Sequence, residues 1–97
     1  MSKLIGKDQW VWVVVQDPGG DEQFLGQYDQ EKDESFIPLF LEKDEAQQAL
    51  DRLQRKEGSE YEVQAIEFGE LRRSAAENRF MLFVLDGAGA ILEKIRP

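Results

Sequence analysis

The chain has 97 residues, 20 acidic against 12 basic, and a formal net charge of −8. That length holds a single domain with one modest core. It contains no Cys, His or Thr, which excludes disulfides, thiolate metal sites, imidazole general bases and serine–histidine triads.

Residues 1–10 have no apolar core of the kind a signal peptide needs. No apolar run approaches the roughly 20 residues of a membrane span. The expectation is a soluble cytoplasmic protein, with residues 1–8 as a disordered tail. The whole net charge can be assigned to residues 17–45, which hold ten acidic and two basic side chains. Such acidity opposes nucleic acids and anionic membranes and favours a basic protein surface.

Trp10 to Val15 reads as a strand of β-branched and aromatic residues, apolar on both alternating faces. Asp17-Pro18-Gly19-Gly20 turns the chain, and residues 24–28 return as a weaker strand. Residues 29–34 form a charged loop. Phe36 to Leu41 is the next strand, and Pro38, with no N–H to donate, predicts an edge position. A helix is expected from Glu42 until Gly58, with Ala46, Ala49, Leu50 and Leu53 as its apolar stripe.

Tyr61 to Phe68 alternates as a strand. A short helix over residues 69–77 points Leu71 and Ala75 inward. Arg79 to Leu85 is a second strand apolar on both faces. Residues 86–89 turn it into a final edge strand over 90–95. The order is β-β-β-α-β-α-β-β, an α/β (α+β) domain with a mixed, mainly antiparallel sheet of five to six strands and two helices. Two helices most simply cover one sheet face. The strands at 10–15 and 80–85 need cover on both. Either the helices lie on opposite faces, or a bare apolar face is shared with a partner.

Three motifs invite a chemical reading. Asp86-Gly87-Ala88-Gly89 starts like a phosphate loop, but leads into a strand rather than a helix, so it reads as a hairpin turn. Asp29, Glu31 and Asp33 have the 1-3-5 spacing of a calcium loop, yet Glu34 stands where glycine is required and Phe40 where glutamate is required. Serines have no histidine or Ser-x-x-Lys partner, and no carboxylate pair sits in a recognisable catalytic context. Trp10 and Trp12 share one strand face, and tryptophan is enriched at interface hot spots. Arg72, Arg73 and Arg79 are the only basic cluster, suited to pairing with the acidic segment of another copy.

Phe36-Ile37-Pro38-Leu39-Phe40-Leu41, an acidic helix start, and Glu45-Ala46 resemble the "vPvF-x-x-x-x-eA" pattern of SseB N-terminal-like domains. A similar pattern occurs in the chloroplast import (Tic) family. Val63 to Leu71 followed by Arg79 to Asp86 is similar to the later strand, short helix and glycine-turn hairpin of those domains. The asparagine–proline pair often found there is replaced by Asp86-Gly87. The resemblance implies an α/β domain with a protein-binding role and carries no catalytic residue.

These readings converge on a non-catalytic interaction or adaptor domain whose partner is another protein or a second copy of itself. No cofactor, metal, nucleic acid or membrane is called for. The expected contact residues are Trp10, Trp12, Asp29, Glu31, Asp33, Arg72 and Arg73. The alternative is a regulator that binds a small ligand or divalent ion through the acidic 29–45 region.

Overall fold

The computed structural model describes residues 2–97. Its elements are β1 (Trp10–Gln16), β2 (Gln23–Phe24), β3 (Gln27–Asp29), β4 (Glu34–Phe40), α1 (Lys43–Leu50), β5 (Tyr61–Glu67), α2 (Phe68–Glu77), β6 (Met81–Leu85) and β7 (Ile91–Ile95). The strands form one mixed seven-stranded sheet. It is predominantly antiparallel, with a single parallel pair between β4 and β6. No helix among the described residues is long and apolar enough to cross a membrane.

β1 is the centre of one half of the sheet. It pairs with β5 along its whole length, from Trp10↔Glu67 to Gln16↔Tyr61. On its other side it meets β4 only at Trp12↔Phe40 and Val13↔Leu39. The next partners would be Val14 and Pro38. There proline has no N–H to give the Val14 carbonyl, and that carbonyl instead accepts the Leu25 N–H at 2.8 Å. The strands fork at this point. β2 continues the ladder along β1 and β3 continues it along β4. Pro38 is therefore interior, buried between β1 and β6 rather than at an edge. The expected single strand over 24–28 is split in two by the same fork.

The two helices lie on opposite faces. Ala46 and Ala49 of α1 pack on Phe40, Phe83 and Leu85, joined by Trp12, Phe36 and Val63. Phe68, Leu71 and Ala75 of α2 pack on Val11, Val13, Val15, Ile37, Leu39, Leu82 and Val84. The chain crosses from β4 to β5 in one direction and from β5 to β6 in the other. Two right-handed crossovers of opposite direction place their helices on opposite faces. The simpler arrangement, both helices on one face, does not occur, and each face carries one helix.

α1 is half the expected length. After Leu50 the chain tightens, Arg52 N–H bonding to the Ala49 carbonyl at 2.8 Å and Leu53 N–H to that of Leu50 at 3.3 Å. The Gln27 side-chain amide then holds the backbone of Gln54 at both ends, donating at 2.8 Å and accepting at 3.0 Å. This amide clasp draws residues 51–54 off the helix axis and onto β3. Leu53 still packs on the α1 cluster, from a turn rather than a helix.

α2 closes with a Schellman motif. Phe80 N–H reaches the Ala75 carbonyl at 2.9 Å and Arg79 N–H the Ala76 carbonyl at 3.3 Å, with Arg79 left-handed at φ 61°. Glycine usually takes that position because a Cβ there is unfavourable.

The segment expected as a tail is docked. Ile5 is buried in the α2-face core. The Glu93 carboxylate accepts Ser2 Oγ–H and Lys3 N–H, each at 2.8 Å, and Leu4 N–H at 3.3 Å. Burial pushes the Glu93 carboxyl up, but these donors and the Lys3 charge outweigh it and hold the group below its ordinary value. Met1 lies outside the described residues.

Candidate functional site

The seven residues expected to make contacts fall in separate places. Trp10 and Trp12 are two apart on β1 and share the α1 face. Trp12 is half-buried in the core cluster there, with Lys43 Nζ 5.6 Å from its ring centroid. Trp10 is 61% exposed at the start of the strand. The pair does not form a bare apolar face, because α1 takes the ground beneath Trp12.

Asp29, Glu31 and Asp33 surround the turn from β3 to β4, at the opposite end of the sheet from Trp10. Asp29 pairs with Lys94 at 4.0 Å and accepts the Glu31 N–H at 3.1 Å. Asp33 accepts the Tyr28 hydroxyl proton, which holds the Tyr28 hydroxyl above its ordinary value. The carboxylates of Asp29 and Asp33 are directed at protein groups. Among the described residues, no three carboxylates converge as a metal site would require. Arg72 and Arg73 are exposed on α2, across the sheet from the tryptophans, and border with Lys7 a shallow depression of about 260 Å³.

Asp86 to Gly89 is a hairpin turn. The Asp86 carboxylate accepts the N–H groups of Ala88 and Ala90 at 2.9 Å, and Gly89 takes the positive φ of 87°. The backbone donors a phosphate would need are thus used by the turn itself.

A groove of about 530 Å³ lies between α2 and the β1–β2 hairpin. Its floor is Val13, Val15 and Ile37, all but buried. Its accessible apolar surface comes from three half-buried side chains, Phe24 of β2, Ile66 of β5 and Phe80, together with the exposed Ala65. Register explains the first two. Phe24 is paired with Val15 and Ile66 with Val11, so both project onto the α2 face. The Schellman turn delivers Phe80. Gly26 leaves room for it, since a Cβ there would stand 3.1 Å from the Phe80 ring.

The rim is polar. α2 supplies Glu70 and Ser74 and its C-cap Asn78, β5 supplies Gln64, the β1–β2 connection supplies Glu22 and β2 supplies Gln23. Among the described residues, Glu22 and Glu70 are its only charged groups, and no lysine or arginine lines it. None of these residues stood out in the sequence. The alternation of β5 does place Gln64 and Ile66 on one face. The remaining signal, the cover left open by a ten-residue helix, depends on non-local pairing.

Comparison of the chain with family models, curated proteins and solved structures gives no match.

Proposed function

We propose that this chain is a non-catalytic domain that binds another protein, taking an extended basic segment into the groove between α2 and β2. The observation that carries this reading is Phe24, Ile66 and Phe80 standing half-open around a groove whose only charges are Glu22 and Glu70. An apolar side chain of the partner fills the groove, and a flanking lysine or arginine meets the carboxylates. The net charge of −8 steers such a partner toward the domain.

No polar or charged side chain is buried among the described residues. Desolvated carboxylates, the usual source of a catalyst's perturbed acidity, are therefore not part of the groove. The resemblance of residues 36–46, 63–71 and 79–86 to SseB N-terminal-like domains agrees with a binding role. A cytoplasmic setting belongs to the same proposal.

Fluorescence anisotropy with a labelled peptide alternating leucine and lysine tests it. Glu22→Lys with Glu70→Lys should weaken binding by roughly tenfold or more, equivalent to about 1.4 kcal/mol. Glu31→Lys with Asp44→Lys changes net charge equally and should weaken it far less. Equal losses from the two pairs would reduce the interaction to net charge and remove the groove from the account.

A further inference from the structure

The two edges of the sheet are unlike. β7 is five residues long, carries both Glu93 and Lys94, and has a bulge opposite Val84 and Leu85. These are devices that discourage further pairing. β5 is seven residues long, paired only with β1, and free of proline, glycine, lysine and bulges.

The phase of its backbone is fixed. Asp17 N–H bonds to the Glu60 carbonyl at 2.7 Å and Phe68 N–H to that of Gln9 at 2.9 Å. Even-numbered residues of this strand therefore face β1. The N–H and C=O groups of Tyr61, Val63 and Ala65 and the N–H of Glu67 project outward, whereas the Glu67 carbonyl, at the N-cap of α2, takes the first helical bond.

We propose that β5 pairs antiparallel with β5 of a second copy, about a two-fold axis at Gln64. In this register Tyr61 meets the partner's Glu67 and Val63 meets the partner's Ala65. All four outward-facing residues are used, giving about six hydrogen bonds across the interface. Moving the axis to Val63 or Ala65 leaves one of them unpaired, and moving it to Glu62 sets that carboxylate against its own copy.

Charge and apolar patterns both fit a second copy. No glutamate lies directly opposite another, since Glu62 meets the partner's Ile66. On the α1 face, Val14 is paired with Val63 and Trp12 with Ala65 within one chain. Pairing therefore joins Val14, Val63, the partner's Ala65 and the partner's Trp12 in one apolar row, covering the exposed Ala65. The inference does not rest on the groove's ligand, and Gln64, Ala65 and Ile66 border both the groove and the proposed seam.

The chain has no cysteine, so Gln64→Cys reports the register directly. The two copies of residue 64 would face each other as a non-hydrogen-bonded pair with Cα atoms about 4.5 Å apart, within disulfide reach. Oxidised glutathione should convert Gln64→Cys to a covalent dimer and leave Glu62→Cys monomeric. Adding Ala65→Pro, which removes only an outward N–H, should abolish the cross-link. Sedimentation of the unmodified chain should show a dimer that strengthens with salt, because screening relieves repulsion between two acidic copies. A folded monomer throughout the millimolar range would overturn the proposal. Cross-linking of Glu62→Cys as readily as Gln64→Cys would do so too.

Discussion

The two faces of this sheet each carry one helix, yet they are closed by different means. Under α1 the helix contributes only Ala46 and Ala49 to the buried core, and the sheet supplies the bulk: Trp12, Phe36, Phe40 and Phe83, with the Phe36 and Phe83 rings stacked at 4.0 Å. Under α2 the helix supplies the bulk, as Phe68 and Leu71, and the sheet offers a floor rich in β-branched residues: Val11, Val13, Val15, Ile37 and Val84. Large side chains standing up from the sheet fill the space beside a short helix. A β-branched floor cannot, so where α2 ends its cover a groove remains. The face with the longer helix is therefore the one with the opening.

Removing the bulk from each face tests this division most severely. Phe83→Ala should cost about 3–5 kcal/mol and Leu71→Ala about 2–5 kcal/mol, both read by urea unfolding. Phe24→Ala, at the half-open groove wall, should cost well under either. Equal losses at Phe24 and Leu71 would mean that the groove is core rather than opening.

The fork between β1 and β4 offers a smaller effect. Pro38→Ala restores an N–H whose acceptor, the Val14 carbonyl, is already taken by Leu25. A buried donor without a free acceptor costs about 1–3 kcal/mol. Loss of stability is the expected result, whereas a gain would show that the ladder can close across the fork.

Arg79→Gly should move stability the other way, by up to about 1–2 kcal/mol, by relieving the left-handed residue at the end of α2. The groove should be unaffected, since Phe80 keeps its place through the Ala75 carbonyl.

The least effect concerns the N-terminal clasp. The Glu93 carboxyl is held below its ordinary value of 4.5 in the fold. Its contribution is therefore present above that value and is lost as pH falls through the lower folded value. The protection of the Lys3 and Leu4 amides, taken relative to their intrinsic exchange rates at each pH, should be lost in acid before that of the sheet. Glu93→Gln should show fast exchange at neutral pH as well.

Local chemistry made much of the fold legible. Residues 10–15 and 81–85 are apolar on both faces, and both strands proved to be interior and covered twice. Leu71 and Ala75 point inward as their spacing requires. What could not be read was set by partners distant in sequence. Pro38 carries the signature of an edge residue, but its missing N–H is accommodated by Leu25 entering from the connection between β2 and β3. The stripe from Ala46 to Leu53 has helical spacing, but the Gln27 amide takes Gln54 and ends the helix early. The groove was not legible either. It is assembled by β2, β5 and the end of α2, whose meeting depends on strand order, and strand order also placed the helices on opposite faces. Trp10 and Trp12 drew attention as large apolar residues, whereas the accessible apolar surface of the groove comes from smaller, less conspicuous positions.

The most direct test is an amide shift map of the ¹⁵N-labelled chain titrated with the alternating leucine–lysine peptide. Shifts concentrated at Phe24, Gln64, Ile66, Ser74 and Phe80, with the Trp10 indole unmoved, are the predicted result. Shifts centred on Trp10 and Lys43, or spread over the acidic turn at 29–34 with the groove silent, would contradict the assignment of binding to the α2 face.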